Sequence, residues 1–261
     1  MNKPFRLRRR NARRHFLAAS AAAASALALS GCDNLSRSTW FPRILDAAEP
    51  LNEAVAKLIG RRAMAQEFTE VDLSPEFRSN GTADPGTEQY NAWVANGFSD
   101  YRLAVGGRVE APREFSLVDL RALPARTQIT RHDCVEGWSA IGKWKGVPLA
   151  ALMDVVRPKA DARYAVFRCA DPMASDGTDL YYESIDLDDA RHPQTLLAYD
   201  LNDAPLPVAN GAPIRLRVER QLGYKHAKFV TAIEFVSSFA HIAGGKGGYW
   251  EDQGYQWWAG I

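Results

Sequence analysis

The chain has 261 residues, of which 46% are apolar and 24% charged, so it can bury a core of ordinary size as one large domain or two small ones. Its formal net charge is +1, yet residues 1–31 hold seven basic side chains and no acidic one, which leaves 25 basic against 31 acidic residues in the rest. This acidic body argues against a nucleic-acid partner, because phosphate binding requires clustered positive charge.

The N-terminus, residues 1–31, has the make-up of a targeting segment: a basic stretch and then the apolar run FLAASAAAASALALS. The run is shorter than the roughly 20 residues that span a bilayer, so a permanent membrane helix is the weaker interpretation. Within the segment, ARRHFLA (12–18) resembles the twin-arginine export signal, and an arginine-rich secretory signal is the alternative. Because the twin-arginine route carries folded proteins, we expect a periplasmic protein that acquires any cofactor in the cytoplasm.

The next motif, LSGC (29–32), resembles a lipoprotein processing box, with a chance match after an alanine-rich run as the alternative. Cys32 would then carry a lipid and anchor the protein to a membrane surface, and Asp33 favours the inner membrane by resemblance to bacterial lipoproteins. Residues 32–70 are predicted to form a tether and a packing helix. Their apolar spacing is helical at Ile44, Leu45, Ala48, Leu51, Val55, Leu58 and Ile59.

From residue 71 to 261 the sequence predicts one domain that is rich in strands. Alternating or apolar runs predict strands at 101–109, 127–135, 163–170, 179–185, 213–219 and 229–236. Start signals followed by helical spacing predict short helices at 116–123, 148–156 and 186–192. Many strands with few long helices indicate a β-rich, mixed-sheet α+β fold.

The cysteine pattern excludes several kinds of site. Without Cys32, only Cys134 and Cys169 remain, and the chain has no C-x-x-C or C-x-x-C-H motif, so a structural zinc site, a redox dithiol and covalent haem are not expected. One disulfide between the two thiols stays open, although a chain of this length does not need it to hold a core. Both cysteines fall at predicted strand ends, where functional residues often lie.

The surroundings of Cys134 are unusual for a buried structural thiol, which remains the simplest alternative. Asp133 and Glu136 are unfavourable neighbours for a core thiol. Basic residues nearby could hold a thiolate or an anionic ligand, namely Arg131, His132 and Lys143.

Four chemistries compete for this thiol. A Cys/His hydrolase would need a base from among His132, His192, His226 and His241. A serine acyl-enzyme is weaker, because Ser139 and Lys143 lack the S-x-x-K spacing, and GGKGG (244–248) lacks the full P-loop pattern. The fourth is a soft transition metal that takes one protein thiolate and its other ligands from a cofactor.

Two long motifs carry a resemblance to a known family. RHDCVEGWSAIGKWKGVPL (131–149) and DLDDARHPQTLLAYDLNDAPLPVANGAPIRLRVERQLGYKHAKFV (186–230) are similar to the molybdopterin-binding domain of the sulfite oxidase superfamily. The likeness runs from about Asn80 to Phe235 and is greatest to the bacterial periplasmic branch that includes the catalytic subunit of protein methionine sulfoxide reductase. It implies a sulfite-oxidase-type fold, a molybdenum-molybdopterin cofactor and oxygen-atom transfer.

The resemblance also implies roles for single residues. Cys134 would be the protein ligand to molybdenum, with the pterin dithiolene and oxygen as the other ligands. Arg215 and Lys228 have the chemistry to pair with the pterin phosphate. Relative to the nearest branch, Cys169 replaces a threonine and His226 a glycine. The full set of implied cofactor contacts is Asn80, Cys134, Cys169, Asn210, Arg215, His226 and Lys228.

The substrate and the partners follow less directly. Sulfite-oxidising relatives carry an arginine soon after the ligand cysteine, whereas this chain reads Val-Glu-Gly-Trp at 135–138, so we expect reduction of an S-oxide such as methionine sulfoxide. Glu136 and Trp138 either line the substrate face or shape the cysteine loop. A sulfite-type oxidase and a non-catalytic binding lipoprotein are the alternatives.

Electrons would have to come from outside the chain, because no haem or iron–sulfur motif is present. We therefore expect a membrane quinol-oxidising subunit or a cytochrome as partner, and a monomeric catalytic protein. The aromatic tail GGKGGYWEDQGYQWWAGI (244–261) is predicted to pack over the core, with a place on the rim of the site or in a docking surface as the alternative.

Overall fold

The computed structural model describes residues 37–60, 63–174, 177 and 179–261. These form two units, which divide between Lys57 and Leu58 and are described separately. The export motif at 12–18 and the predicted lipidation site at Cys32 lie outside the described residues.

Most of the described part of the first unit is helical. Helix α1 covers Phe41–Gly60, so that its last three residues are counted with the second unit, and it contains Pro50. One turn of it is reinforced by an ion pair between Glu53 and Lys57, at the i,i+4 spacing that brings side chains together on a helix. Among the described residues, no helix combines the length and the apolar character needed to cross a membrane. The tether and packing roles of residues 32–70 stay predictions.

The second unit contains two β-sheets with short helices between the strands. The strands are β1 (Leu103–Gly107), β2 (Arg113–Phe115), β3 (Arg126–Cys134), β4 (Trp138–Pro148), β5 (Tyr164–Pro172), β6 (Leu180–Asp186), β7 (Leu196–Leu201), β8 (Ala204–Pro205), β9 (Arg215–Arg217) and β10 (Val230–Val236). In the first sheet the strand order is β2-β1-β10-β5-β6, and β1 and β10 pair in parallel. In the second the order is β3-β4-β7-β8, with β9 also paired to β7. The remaining α-helices are α2 (Glu88–Ala95), α3 (Leu117–Ala122), α4 (Leu149–Val156), α5 (Leu187–Ala190) and α6 (Tyr249–Asp252).

The main core lies where apolar faces of the two sheets and the short helices meet. Helix α4 shows how the sequence builds it, because its buried residues recur at the i, i+3, i+4, i+7 spacing of one helix face. The helix ends at Arg157, whose backbone is left-handed with φ of 52°. Buried side chains that form this core include Leu103, Val105, Val147, Leu152, Phe167, Ile185, Leu197, Ile214, Leu216 and Phe235.

Strand β3 carries an unusual buried face, because three of the side chains on it are polar. Alternation along the strand buries Gln128, Thr130, His132 and finally Cys134. The strand pairs with β4 along its whole length, and the last pair joins Cys134 to Trp138. Gly137 closes this hairpin with φ of 85°, a conformation that glycine adopts readily. The hairpin therefore fixes Cys134 at the end of a regular ladder.

The predicted fold class and each predicted strand and helix of this unit are confirmed, with end points that shift by one to a few residues. Cys134 and Cys169 are both free and buried, so the disulfide between them that the sequence left open is not formed. The elements that were not predicted are the strands β2, β4, β7 and β8 and the helices α2 and α6. Glycine, lysine and proline interrupt the pattern in β4, and β7 is buried on both faces, so it lacks period-two alternation.

Gly146 provides a test of the contact between β4 and β7. A Cβ atom added there would lie 2.2 Å from the carbonyl oxygen of Leu197 and 2.6 Å from Cα of Ala198. We expect Gly146→Ala to lower the free energy of unfolding by about 1–3 kcal/mol, measured by urea denaturation, because rigid backbone must move. Gly106→Ala on β1 is the control, since open space surrounds that position and the change should stay within about 0.5 kcal/mol. Equal losses in the two variants would contradict this account.

Candidate active site

A cavity of about 280 Å³ opens beside the end of the β3–β4 hairpin. Its walls come from parts of the chain that are far apart in sequence, and polar and aromatic side chains predominate among them. The lining residues are Asn80, Gly81, Thr82, Cys134, Val135, Glu136, Asp171, Met173, Tyr181, Gly223, Tyr224, His226, Lys228, Trp250 and Tyr255.

Cys134 supplies a thiol to this cavity from the end of β3. Burial raises the pKa of the thiol, while a hydrogen bond from the backbone N–H of Glu136 and the charges of Arg78 and Arg215 act in the opposite direction. The free thiol is therefore protonated at neutral pH. A soft metal ion that bound here would displace this proton and be held by the thiolate.

Glu136 lines the cavity two residues after Cys134, and its position is fixed by Trp138. The indole N–H of Trp138 donates to the Glu136 carboxylate over 3.0 Å. The guanidinium of Arg78 stacks over the same indole at 5.3 Å from the ring centroid. Of the two side chains considered for the substrate face, Glu136 lies in the cavity wall, whereas Trp138 is outside the lining and donates a hydrogen bond to Glu136.

Two buried cations lie under and beside the cavity. Lys228 lines it and donates to the carbonyl oxygens of Thr82 and of Ala209, the latter over 3.2 Å. Arg215 is fully buried and donates to the carbonyl oxygens of Asn210 and His226 over 3.1 and 3.3 Å. Among the residues that the structure describes, neither cation has a carboxylate within salt-bridge distance.

The charges of these two groups are poorly compensated by the protein. Burial lowers the pKa of Lys228 to about 7, and the nearby charge of Arg215 lowers it further. Burial also lowers the pKa of Arg215 to about 9, and here the charge of Arg217 contributes. Buried cations with only neutral partners are costly unless an anion joins them. The pair therefore provides a site for an anionic group.

Several buried acceptor atoms around the cavity have no hydrogen-bond partner within the described part of the chain. They include Oδ1 of Asn80 and Oδ1 of Asp171. Nδ1 of His226 is a third, because Nε2 of the same ring lies 3.0 Å from the carbonyl of Gln221 and must carry the proton. Burial raises the pKa of Asp171 to about 6. These atoms suit a ligand with hydrogen-bond donors.

The structure brings together most of the residues that the sequence singled out. Asn80, Cys134, Glu136, His226 and Lys228 line the cavity. The other three do not. Asn210 and Arg215 form a layer behind it, where the Asn210 carbonyl accepts from Arg215, and Cys169 is packed in the main core.

Sequence reasoning missed Asp171, Tyr181 and Tyr224, and it gave the tail residues Trp250 and Tyr255 only as an alternative. Asp171 is two residues beyond Cys169 and could have been found by extending the predicted strand to its end. The aromatic residues had no local signal, because only the folded chain brings them to the cavity.

The fold and the cavity together indicate a class of protein whose buried cations and unpartnered acceptor atoms suit an anionic cofactor. Residues 91–241 match the family described as oxidoreductase molybdopterin binding domain. The chain belongs to that family. The family resemblance found in the sequence is thereby confirmed. The sulfite-oxidase-type fold, the molybdenum-molybdopterin cofactor and the assignment as an oxidoreductase are confirmed with it.

Curated relatives carry names that refer to one reductase. The chain is 44% identical over 162 residues to a provisionally named protein-methionine-sulfoxide reductase subunit, YedZ1, of Azospira oryzae, a match that covers 62% of this chain and 56% of the relative. It is 35% identical over 242 residues to the protein-methionine-sulfoxide reductase catalytic subunit of Ralstonia nicotianae, which covers 86% of this chain and 68% of the relative. The chain thus spans between about half and two thirds of the length of these two relatives.

Among solved structures, the sulfane dehydrogenase SoxCD of Paracoccus pantotrophus aligns with a TM-score of 0.49 and 23% identity. The alignment covers 54% of this chain and 39% of that one.

The residues around the cavity fit a molybdenum-molybdopterin. Arg215 and Lys228 meet the need of its phosphate for positive charge, and the free acceptors of Asn80 and Asp171 suit the N–H donors of its heterocycle. Cys134 offers the soft donor that completes a metal already held by a dithiolene. No group of three or more His, Cys, Asp or Glu side chains arranged to hold a metal occurs among the described residues. The roles that the resemblance implies for single residues, including Cys134, Asn80, Arg215 and Lys228, all stay predictions.

The depressed pKa of Lys228 predicts that anion binding to the cofactor-free protein depends on pH. With a pKa of about 7, Lys228 is charged at pH 6 and largely neutral at pH 8.5, so sulfate should stabilise the protein more at pH 6. In the absence of an anion, the ionisation of Lys228 has the opposite effect, and the stability of the protein increases as the pH rises. Because the unfolded lysine keeps its proton up to its ordinary pKa of 10.5, its contribution to stability rises between about pH 7 and 10.5.

Thermal unfolding with and without sulfate measures this effect. Lys228→Arg is the control, because arginine stays charged across the range and should bind sulfate equally at both pH values. A sulfate effect that is independent of pH in the wild-type protein would show that Lys228 does not titrate in this range.

Proposed function

We propose that the chain reduces a sulfoxide to a thioether by oxygen-atom transfer at the cavity beside Cys134. The names of the relatives support this reaction, since they describe a reductase of protein-bound methionine sulfoxide. The observation that carries the proposal is the position of Glu136, whose carboxylate lines the cavity two residues beyond the ligating thiol. A carboxylate at this point repels an anion such as sulfite, whereas a neutral sulfoxide can approach it.

The reaction consumes a sulfoxide, two electrons and two protons and yields a thioether and water, so the S=O bond breaks and both O–H bonds of water form. The cofactor, when bound, supplies a metal centre that accepts the oxygen atom and delivers the electrons. Cys134 would hold that centre from the end of a regular β-ladder. Glu136, held by Trp138, could pass protons from solvent to the oxygen of the substrate.

We propose that the electrons arrive from a separate partner. The sequence has no haem or iron–sulfur motif, and the relatives are named as subunits, which supports a membrane quinol-oxidising subunit or a cytochrome as donor.

The ARRHFLA and LSGC motifs support export by the twin-arginine route to the periplasm and an inner-membrane lipid anchor at Cys32. We further propose that the catalytic chain is a monomer.

Steady-state kinetics with an artificial donor tests the reaction. Protein loaded with molybdenum should oxidise reduced benzyl viologen when methionine sulfoxide or a methionine-sulfoxide peptide is added. Sulfite with ferricyanide as acceptor is the comparison and should give little turnover. Turnover of sulfite without turnover of sulfoxide would replace this proposal by a sulfite-type oxidase.

A further inference from the structure

Two aromatic side chains near the C-terminus form one wall of the cavity. Trp250 belongs to helix α6 and Tyr255 to the segment after it, and both line the cavity. They lie beyond residues 91–241, the part of the chain that matches the molybdopterin-binding family. The cofactor contacts therefore come mainly from the part that the family shares, and this wall comes from outside it.

A buried ion cluster holds the wall in place. Lys225 donates to both Glu183 on β6 and Glu251 on α6, and all three side chains are fully buried. Gly248 permits the approach, because a Cβ atom there would lie 2.0 Å from Glu251 Oε2. Glu251 is the immediate neighbour of Trp250, so the cluster ties the helix that carries Trp250 to strand β6, which also carries Tyr181 of the cavity lining.

Tyr255 is held by its aromatic neighbours. Its ring packs edge-on against Tyr224 with the centroids 5.2 Å apart, and it lies 5.4 Å from the ring of Trp250. Its backbone N–H donates to the Trp250 carbonyl over 2.9 Å. Despite these contacts 43% of Tyr255 is exposed, so one side of the residue is open to an incoming molecule.

Further apolar side chains line the same cavity. Val135, next to Cys134, is 44% exposed, and Met173 follows β5. Together with Trp250 and Tyr255 they give the cavity an apolar part beside the polar part that suits the cofactor. A substrate whose sulfur reaches the metal has to place a substituent against such surfaces. Thioethers and rings pack favourably on aromatic faces.

We propose that Trp250 and Tyr255 are specificity residues that bind the larger, apolar substituent of a sulfoxide while its S=O group points toward Cys134. This inference rests on the proposed sulfoxide reduction. It names sulfoxides with a bulky apolar arm as the preferred class, and small sulfoxides without such an arm gain nothing from the wall.

The test compares two neutral substrates in each variant, methyl p-tolyl sulfoxide and dimethyl sulfoxide, with reduced benzyl viologen as donor and rates expressed per bound molybdenum. In Trp250→Ala and Tyr255→Ala, kcat/KM for the aryl substrate should fall by about tenfold or more, mainly through KM, because burial of an aromatic ring is lost. For dimethyl sulfoxide it should change by less than about threefold. Tyr255→Phe keeps the ring and should retain the wild-type ratio.

Each other outcome is decisive. Equal losses for the two substrates would show that the wall only supports the fold, and an unchanged ratio would show that it does not select substrates. Because Tyr255 is partly exposed, Tyr255→Ala keeps the test valid if Trp250→Ala does not fold. A molybdenum-loaded wild-type protein that reduces neither sulfoxide would instead overturn the proposed function itself.

Discussion

Cys134→Ala is expected to lose sulfoxide reduction by more than about 100-fold, since even residues that merely orient a metal ligand cost 10–100-fold when removed. The thiol is the soft donor that the cavity presents, and alanine leaves the metal without a ligand from the chain. Elemental analysis of purified protein, with kinetics on the same samples, measures the effect. About one molybdenum per chain is expected in the wild-type protein, with a reduced or spectroscopically altered metal in the variant.

Cys169→Ala is the matched comparison, because it removes the other free thiol of the described chain. Cys169 is buried in the main core and does not line the cavity, so we expect its variant to keep molybdenum and to lose stability instead. Full activity in Cys134→Ala would refute the assignment of Cys134 as the protein ligand to molybdenum. Loss of molybdenum in Cys169→Ala, with the fold intact, would support the direct cofactor contact that the family resemblance implied.

Lys228→Met should leave the protein nearly free of cofactor after purification. The substitution keeps the length of the side chain but removes a buried positive charge that we assign to the pterin phosphate. Charge-assisted hydrogen bonds contribute about 1.5–3 kcal/mol, which corresponds to a loss of roughly ten- to a hundredfold in affinity. Molybdenum and pterin content per chain give the measurement.

Lys228→Arg distinguishes charge from shape at this position. It preserves the charge and should retain more cofactor than the methionine variant, although its planar group cannot reproduce every contact of an ammonium. Without its buried cation the methionine variant should also be the more stable protein when free of cofactor. Cofactor content equal to that of the wild-type protein in Lys228→Met would refute the role of phosphate anchor.

The sequence predicted the fold wherever local patterns and tertiary environment agree. Strand β3 alternates in sequence and in burial, and helix α4 shows one clear apolar face. Strand β7 gave no such signal, because both of its faces are buried and its apolar residues form a continuous run. Strand β4 was not recognised because Gly146 interrupts its pattern. This glycine lies at the irregularity in the pairing of β4 with β7, where the two backbones approach closely.

The site was predictable to the extent that its residues lie in continuous motifs. Cys134 and Glu136 share one hairpin, and His226 and Lys228 share one short segment, so a local pattern could identify them. Trp250 could not be placed in this way, because its position depends on an ion cluster that joins three separate segments. The sequence predicted that the tail packs over the core and gave a place on the rim of the site only as an alternative.

The way the cavity is enclosed sets the order of events in the maturation of the protein. Its walls begin at Asn80 and are completed only by Tyr255, so a chain still emerging from the ribosome has no finished site to offer. The complete set of lining residues is therefore available to a cofactor only after the chain has been synthesised as far as Tyr255. Separating Lys225 from two buried carboxylates is costly, so we expect the wall that carries Trp250 to stay in place once it has formed and a bound cofactor to leave slowly. The ion cluster would then govern how long the cofactor resides in the protein.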